Sequence, residues 1–171
     1  MKKILIASLF SSLVFIYACN DAGTSGEGTA GDDTSTAMSD NSGSMANSVM
    51  TKNGLPLGPD QEVPTNNSSG KGTADVTYNK ETKMLSYTVN YEGLTAAPTM
   101  AHIHGTAPRG SNAGVVHDLS SKLQKQQSGS FSDSVMIEGK LKEDSLLNGF
   151  YYFNIHTPKN PGGEIRGQIE F

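Results

Sequence analysis

The chain has 171 residues, with 13 Lys and Arg against 17 Asp and Glu, 19 Gly, one Cys and no Trp, for a formal charge of −4. A lone cysteine excludes a disulfide framework and paired-cysteine zinc or redox motifs, and a net acidic chain lacks the concentrated basic face that nucleic acid requires. Apolar residues make up 35%, below an average globular chain, which implies that part of the sequence does not pack.

Residues 1–18 carry Lys2 and Lys3 and then an apolar run from Ile4 to Ala18, ending at Cys19. A basic start followed by a short apolar run has the form of a secretory signal, too short for a spanning helix. Its last residues, Ile16-Tyr17-Ala18-Cys19, resemble the lipobox of bacterial lipoproteins. The resemblance implies cleavage before Cys19 and diacylation of its sulfur by fatty chains such as palmitate. The mature protein would then be anchored to a membrane of the cell envelope, with the rest of the chain outside the cytoplasm. Two acyl chains hold a protein stably on a bilayer, whereas one does not.

Residues 19–52 follow as the lipidated cysteine and a tether. Positions 20–50 contain 15 Gly, Ser and Thr, five acids, no Lys or Arg and no aromatic residue. So little apolar surface cannot offset backbone entropy, and a flexible arm with its ends about 30 Å apart is expected. Met38, Met45 and Met50 fall at spacings that fit no metal site and read as linker residues.

Residues 53–171 are expected to fold. Positions 51–171 carry 11 basic and 12 acidic side chains, so this part is near neutral. About 120 residues can bury roughly two-thirds of their surface. The hydrophobic period is two throughout. Ala74, Val76 and Tyr78 alternate with Thr73, Asp75 and Thr77; Asn79-Lys80-Glu81-Thr82 forms a turn; Leu85, Tyr87, Val89 and Tyr91 line the next strand. Further strands are expected over Met100–His104, Val115–Leu119, Ser130–Ile137, Phe150–Thr157 and Glu164–Phe171, with Gly and Pro between them. Only Lys140–Leu147 has helical character. The fold class is therefore all-β: an antiparallel Greek-key sandwich or barrel of seven to eight strands with one short helix.

Several blocks of this region resemble the CHRD domain, a module named from chordin and found in many bacterial secreted proteins. They are Gln61-Glu62-Val63-Pro64, Leu85-Ser86-Tyr87-Thr88-Val89, Ala101-His102-Ile103-His104-Gly105, Gly114-Val115-Val116, Phe153-Asn154-Ile155-His156-Thr157 and Gly162-Gly163-Glu164-Ile165-Arg166-Gly167-Gln168. The resemblance runs from about Gly58 to Phe171 and implies an extracytoplasmic β-domain.

Three of the four histidines, His102, His104 and His156, lie in those blocks. His-x-His on a strand puts both imidazoles on one face about 7 Å apart, and a third from a neighbouring strand completes a workable set for copper or zinc. His117 is a possible fourth. A mononuclear site needs these nitrogens to converge within about 4 Å, and metal binding should fail as the imidazoles protonate near pH 5–6. The order of elements is also similar to copper-zinc superoxide dismutase, which implies His102, His104 and His156 as copper ligands and Arg166 as an anion-guiding arginine. The chain lacks that family's long loop with a bridging histidine and its disulfide cysteines, so the similarity does not extend to dismutase activity. The alternative is a polar, hydrogen-bonded cluster of neutral histidines with Asn154 and a structural Arg166.

Two functions from different classes follow. One is a non-enzymatic, lipid-anchored binding or surface module, monomeric, with the membrane as its partner. The other is a histidine-based copper or zinc protein. Hydrolysis would need paired carboxylates drawn from Asp118, Glu164 and Glu170, and there is neither a Gly-rich phosphate loop nor a nucleophile elbow.

Overall fold

A computed structural model describes residues 48–171. The expected signal peptide, the lipidation of Cys19, Met38, Met45 and nearly all of the tether lie outside the described residues. The elements are β1 (Val49–Leu57), β2 (Lys71–Asn79), β3 (Met84–Glu92), β4 (Met100–His104), β5 (Val115–Asp118), β6 (Gly129–Met136), α1 (Glu143–Leu147), β7 (Tyr152–His156) and β8 (Ile165–Gln168).

These eight strands make two four-stranded antiparallel sheets, in the orders β1-β2-β3-β6 and β5-β4-β7-β8. Among β3–β6 the first and last strands pair, and among β4–β7 the first and last pair again, which is Greek-key connectivity. The sheets do not close into a barrel. The result is the sandwich of the two expected architectures, with a single Gly58–Arg166 bridge where the end of β1 meets β8.

Alternation decides which side chains meet between the sheets. Ala74, Val76, Tyr78, Leu85, Tyr87, Val89 and Tyr91 come from the first sheet; Ala101, Ile103, Phe153, Ile155 and Ile165 come from the second. Tyr87 and Phe153 meet edge to face with ring centroids 5.2 Å apart, an aromatic contact that ties one sheet to the other. The β2–β3 hairpin forms as the sequence suggests, because Asn79 Oδ1 accepts from the backbone N–H of Glu81 and Thr82 and closes the turn.

Strand β1 is an addition to the expected set, and it takes Val49–Lys52 from the segment assigned to the tether. Its sequence hides it, since only Leu55 and Leu57 are buried and Pro56 sits within it. Proline is tolerated there because β1 is an edge strand and has no second ladder to feed. Gly54, at φ +64°, marks the irregularity between Lys52 and Leu55.

Candidate metal centre

Strands β4 and β7 sit side by side at the middle of the second sheet. On β4, Ala101 and Ile103 point into the core, so Met100, His102 and His104 share the opposite face. On β7, Phe153 and Ile155 point inward, and Tyr152, Asn154 and His156 face outward. The register sets Met100 opposite His156, His102 opposite Asn154 and His104 opposite Tyr152.

That outer face is nevertheless buried along β7 and half-buried at His102 and His104, because loops fold over it, and only Met100 at its edge is exposed. Asn112 donates to the Val63 carbonyl, the Ala113 N–H donates to the Tyr152 hydroxyl, and Asn66 donates to the carbonyls of Gly163 and Glu164. Asn154 donates to the carboxylate of Glu62. Gly163, at φ +133°, sits where a Cβ would lie 2.5 Å from Glu62 and 2.6 Å from Asn154, so only glycine lets the turn come down onto this pair.

Beneath the loops His102, His104 and His156 converge. One ring nitrogen from each lies within 4.8 Å of the other two. The outermost separation is wider than the expected 4 Å, yet three points so placed share a position at most about 2.8 Å from each, within 1 Å of a Zn–N bond length of 2.0–2.1 Å. His102 Nδ1 and His156 Nε2 are already 3.1 Å apart.

The remaining ring nitrogens determine which lone pairs face inward. His156 Nδ1 is 3.0 Å from the Pro161 carbonyl, and His104 Nδ1 is 2.9 Å from the Ala113 carbonyl. A carbonyl only accepts, so both Nδ1 atoms carry the proton and both Nε2 atoms present a lone pair. His104 Nε2 is buried with no hydrogen-bond partner. His102 turns Nε2 toward the Asp118 carboxylate at 3.7 Å, leaving Nδ1 on the convergent side. Metal-bound histidines characteristically hold their other nitrogen on a carbonyl or carboxylate, as His104 and His156 do here.

Burial holds His156 well below the ordinary imidazole range, at about 4, against the raising effect of the Pro161 carbonyl. Burial lowers His102 too, partly countered by Asp118. It likewise lowers His104, where the Ala113 carbonyl works the other way. All three are therefore biased toward the neutral form that binds metal, and the protonation window moves below the pH 5–6 expected from unperturbed imidazoles.

Around the histidines the same layer is consistently polar. Tyr152 stacks on His104, with centroids 5.1 Å apart and planes 7° from parallel. The Arg166 guanidinium carbon sits 3.5 Å from the Tyr152 ring centroid, and Arg166 donates to Gln168 and Asn112. Burial pushes the Glu62 carboxyl up to about 7, although Asn154, Arg166 and the Val63 N–H pull it down.

The structure brings His102, His104 and His156 together and leaves the possible fourth ligand out. His117 pairs with Ile103, so it falls on the core-side face of β5 and outside the cluster. The period-two pattern of a strand separates it from His102 on the neighbouring strand. Arg166 is 1% exposed, so its guanidinium braces Tyr152 and is not open to a diffusing anion. The carboxylates considered for hydrolysis are held apart. Asp118 is tied to Ser120, Glu170 to Arg109, and Glu164 to Ser68, Thr95 and Thr157. Sequence reasoning passed over Glu62 and the carbonyls of Ala113 and Pro161. Glu62 lies in a block already quoted; the carbonyls carry no side-chain signal at all.

In comparison with known proteins, residues 54–169 match the CHRD domain. No curated protein and no solved structure matches the chain.

Proposed function

This chain belongs to the CHRD domain family, and from that premise we propose that it is a lipid-anchored, extracytoplasmic binding module whose ligand is one copper or zinc ion on His102, His104 and His156. The observation that carries the metal reading is the convergence of three imidazole nitrogens within 4.8 Å, with His104 and His156 each held by a carbonyl on the far side of the ring and His102 Nε2 3.7 Å from the Asp118 carboxylate. A polar cluster built only for stability would satisfy its own atoms, yet His104 Nε2 is buried without a partner and aims into the convergence point. Three nitrogen ligands with a position to spare suit copper or zinc, both of which favour imidazole.

The role proposed is binding, and the three carboxylates that hydrolysis would need to pair belong to three separate networks. Anchoring rests on Lys2, Lys3, the apolar run and Cys19. The membrane is then the partner through the N-terminal lipid, nucleic acid is left out on grounds of charge, and the domain acts as a monomer.

The test is metal content after loading with copper or zinc and dialysis. The full chain should retain one ion, and His102→Ala with His104→Ala should retain none. Retention below one ion in the unsubstituted protein removes the metal reading. Fatty-acid labelling that is lost in Cys19→Ser tests the anchor.

A further inference from the structure

We infer that the ion this site takes is cuprous copper, with the thioether of Met100 as its fourth ligand at the solvent-facing rim. The inference rests on the trihistidine reading above and adds the identity of the ion and of one donor. Met100 occupies the same face of β4 as His102 and His104, two residues before His102. It is directly opposite His156 in the β4–β7 ladder. Directly opposed residues have Cβ atoms about 4.5–5.5 Å apart, and a methionine side chain, with three rotatable bonds, spans that distance.

The exposure of Met100 fits this role. The residue is 40% exposed at the start of a strand whose inward residues, Ala101 and Ile103, are fully buried. A lone exposed apolar residue is ordinary on a protein surface. What sets Met100 apart is that it stands opposite one of three convergent imidazoles, His156, and next along the same face to another, His102; His156 is 5% exposed and His102 is only partly covered. Met100 is therefore an exposed thioether on the face of the sheet that carries the imidazoles. A soft thioether added to imidazoles favours Cu(I), whereas zinc in a site of this kind is served by nitrogen and oxygen alone.

The experiment uses the full chain in detergent, held anaerobic, with Cu(I) partitioned against a chromogenic cuprous chelator and Zn(II) against a zinc indicator. Met100→Leu is the variant, because the swap conserves volume and an exposed site tolerates it. Cu(I) affinity should fall on the order of tenfold, Zn(II) affinity should stay within about twofold, and the copper–sulfur contribution to the X-ray absorption spectrum should vanish. The tether methionines are the same in both proteins, so the difference isolates Met100. Unchanged Cu(I) affinity, or an equal loss for both ions, overturns the inference while the histidine site stands. Cu(I) binding indifferent to His104→Ala overturns the trihistidine reading itself, and this inference with it.

Discussion

The outward faces of the two sheets have similar polarity and opposite fates. On the first sheet Thr73, Asp75, Thr77, Ser86, Thr88, Asn90, Ser132 and Ser134 stand in rows across β2, β3 and β6, exposed or half-exposed. On the second sheet Tyr152, Asn154, His156, Arg166 and Gln168 stand in equivalent outward positions and are at most 5% exposed. Loops make the difference: they cross the second sheet and supply carbonyls and carboxylates to the side chains beneath. Burying polar groups costs free energy unless each finds a partner, so this layer is highly specified. The first sheet's face, left in water, has no such constraint. Chemistry that needs neutral imidazoles and orienting carbonyls is possible only on the covered face.

The largest loss is expected at Glu164. Its carboxylate accepts from Ser68, from Thr157 and from both the backbone and the hydroxyl of Thr95. Burial pushes it up, but those hydrogen bonds outweigh burial and hold it below the usual carboxylate range. Glu164→Ala strands those buried donors and should destabilise the domain by about 3 kcal/mol, measured by urea unfolding. A loss comparable to that at an exposed site would mean the covered layer is not specified as described.

Glu62 should give a pH signature. Its folded pKa of about 7 lies above the ordinary 4.5. Its contribution to stability is therefore complete below pH 4.5 and is lost as pH rises through about 7. Glu62→Gln removes this slope, so the variant should gain on the unsubstituted protein by on the order of 2 kcal/mol between pH 5 and pH 8. Parallel unfolding curves at the two pH values would show that the Glu62 site is wet.

Asp118 stands at the rim, where the covered face meets solvent. Asp118→Asn keeps the shape but weakens the hold on His102 Nε2. Metal affinity should fall about tenfold with little change in unfolding; a large stability loss with unchanged affinity would make Asp118 a purely structural residue. The smallest effect belongs to the open face. Thr88→Ala, which loses only a 2.8 Å hydroxyl contact with Ser132, should shift stability by no more than about 0.5 kcal/mol and leave metal binding untouched.

Much of this was legible in the chain. Period-two alternation located β2 through β8 to within a few residues, and the short helix fell inside the expected Lys140–Leu147. Strand β1 was missed because an edge strand holding Gly54 and Pro56 has only two buried residues to betray it. His-x-His spacing identified two ring partners on one face, and the family blocks supplied the third. His117 stayed only a possible fourth because one-dimensional spacing does not say which face of β5 is turned to His102.

By itself, then, the sequence determined the all-β class, the inward residues of each strand and the histidines worth considering, because alternation is a local property of the strand backbone. Only the tertiary structure decided that the outer face of one sheet is roofed, that His156 meets His102 across a strand pair, and that the carbonyls of Ala113 and Pro161 aim the imidazoles. Register, loop cover and backbone carbonyl direction arise from contacts between residues far apart in the chain, and backbone atoms are the same in every residue.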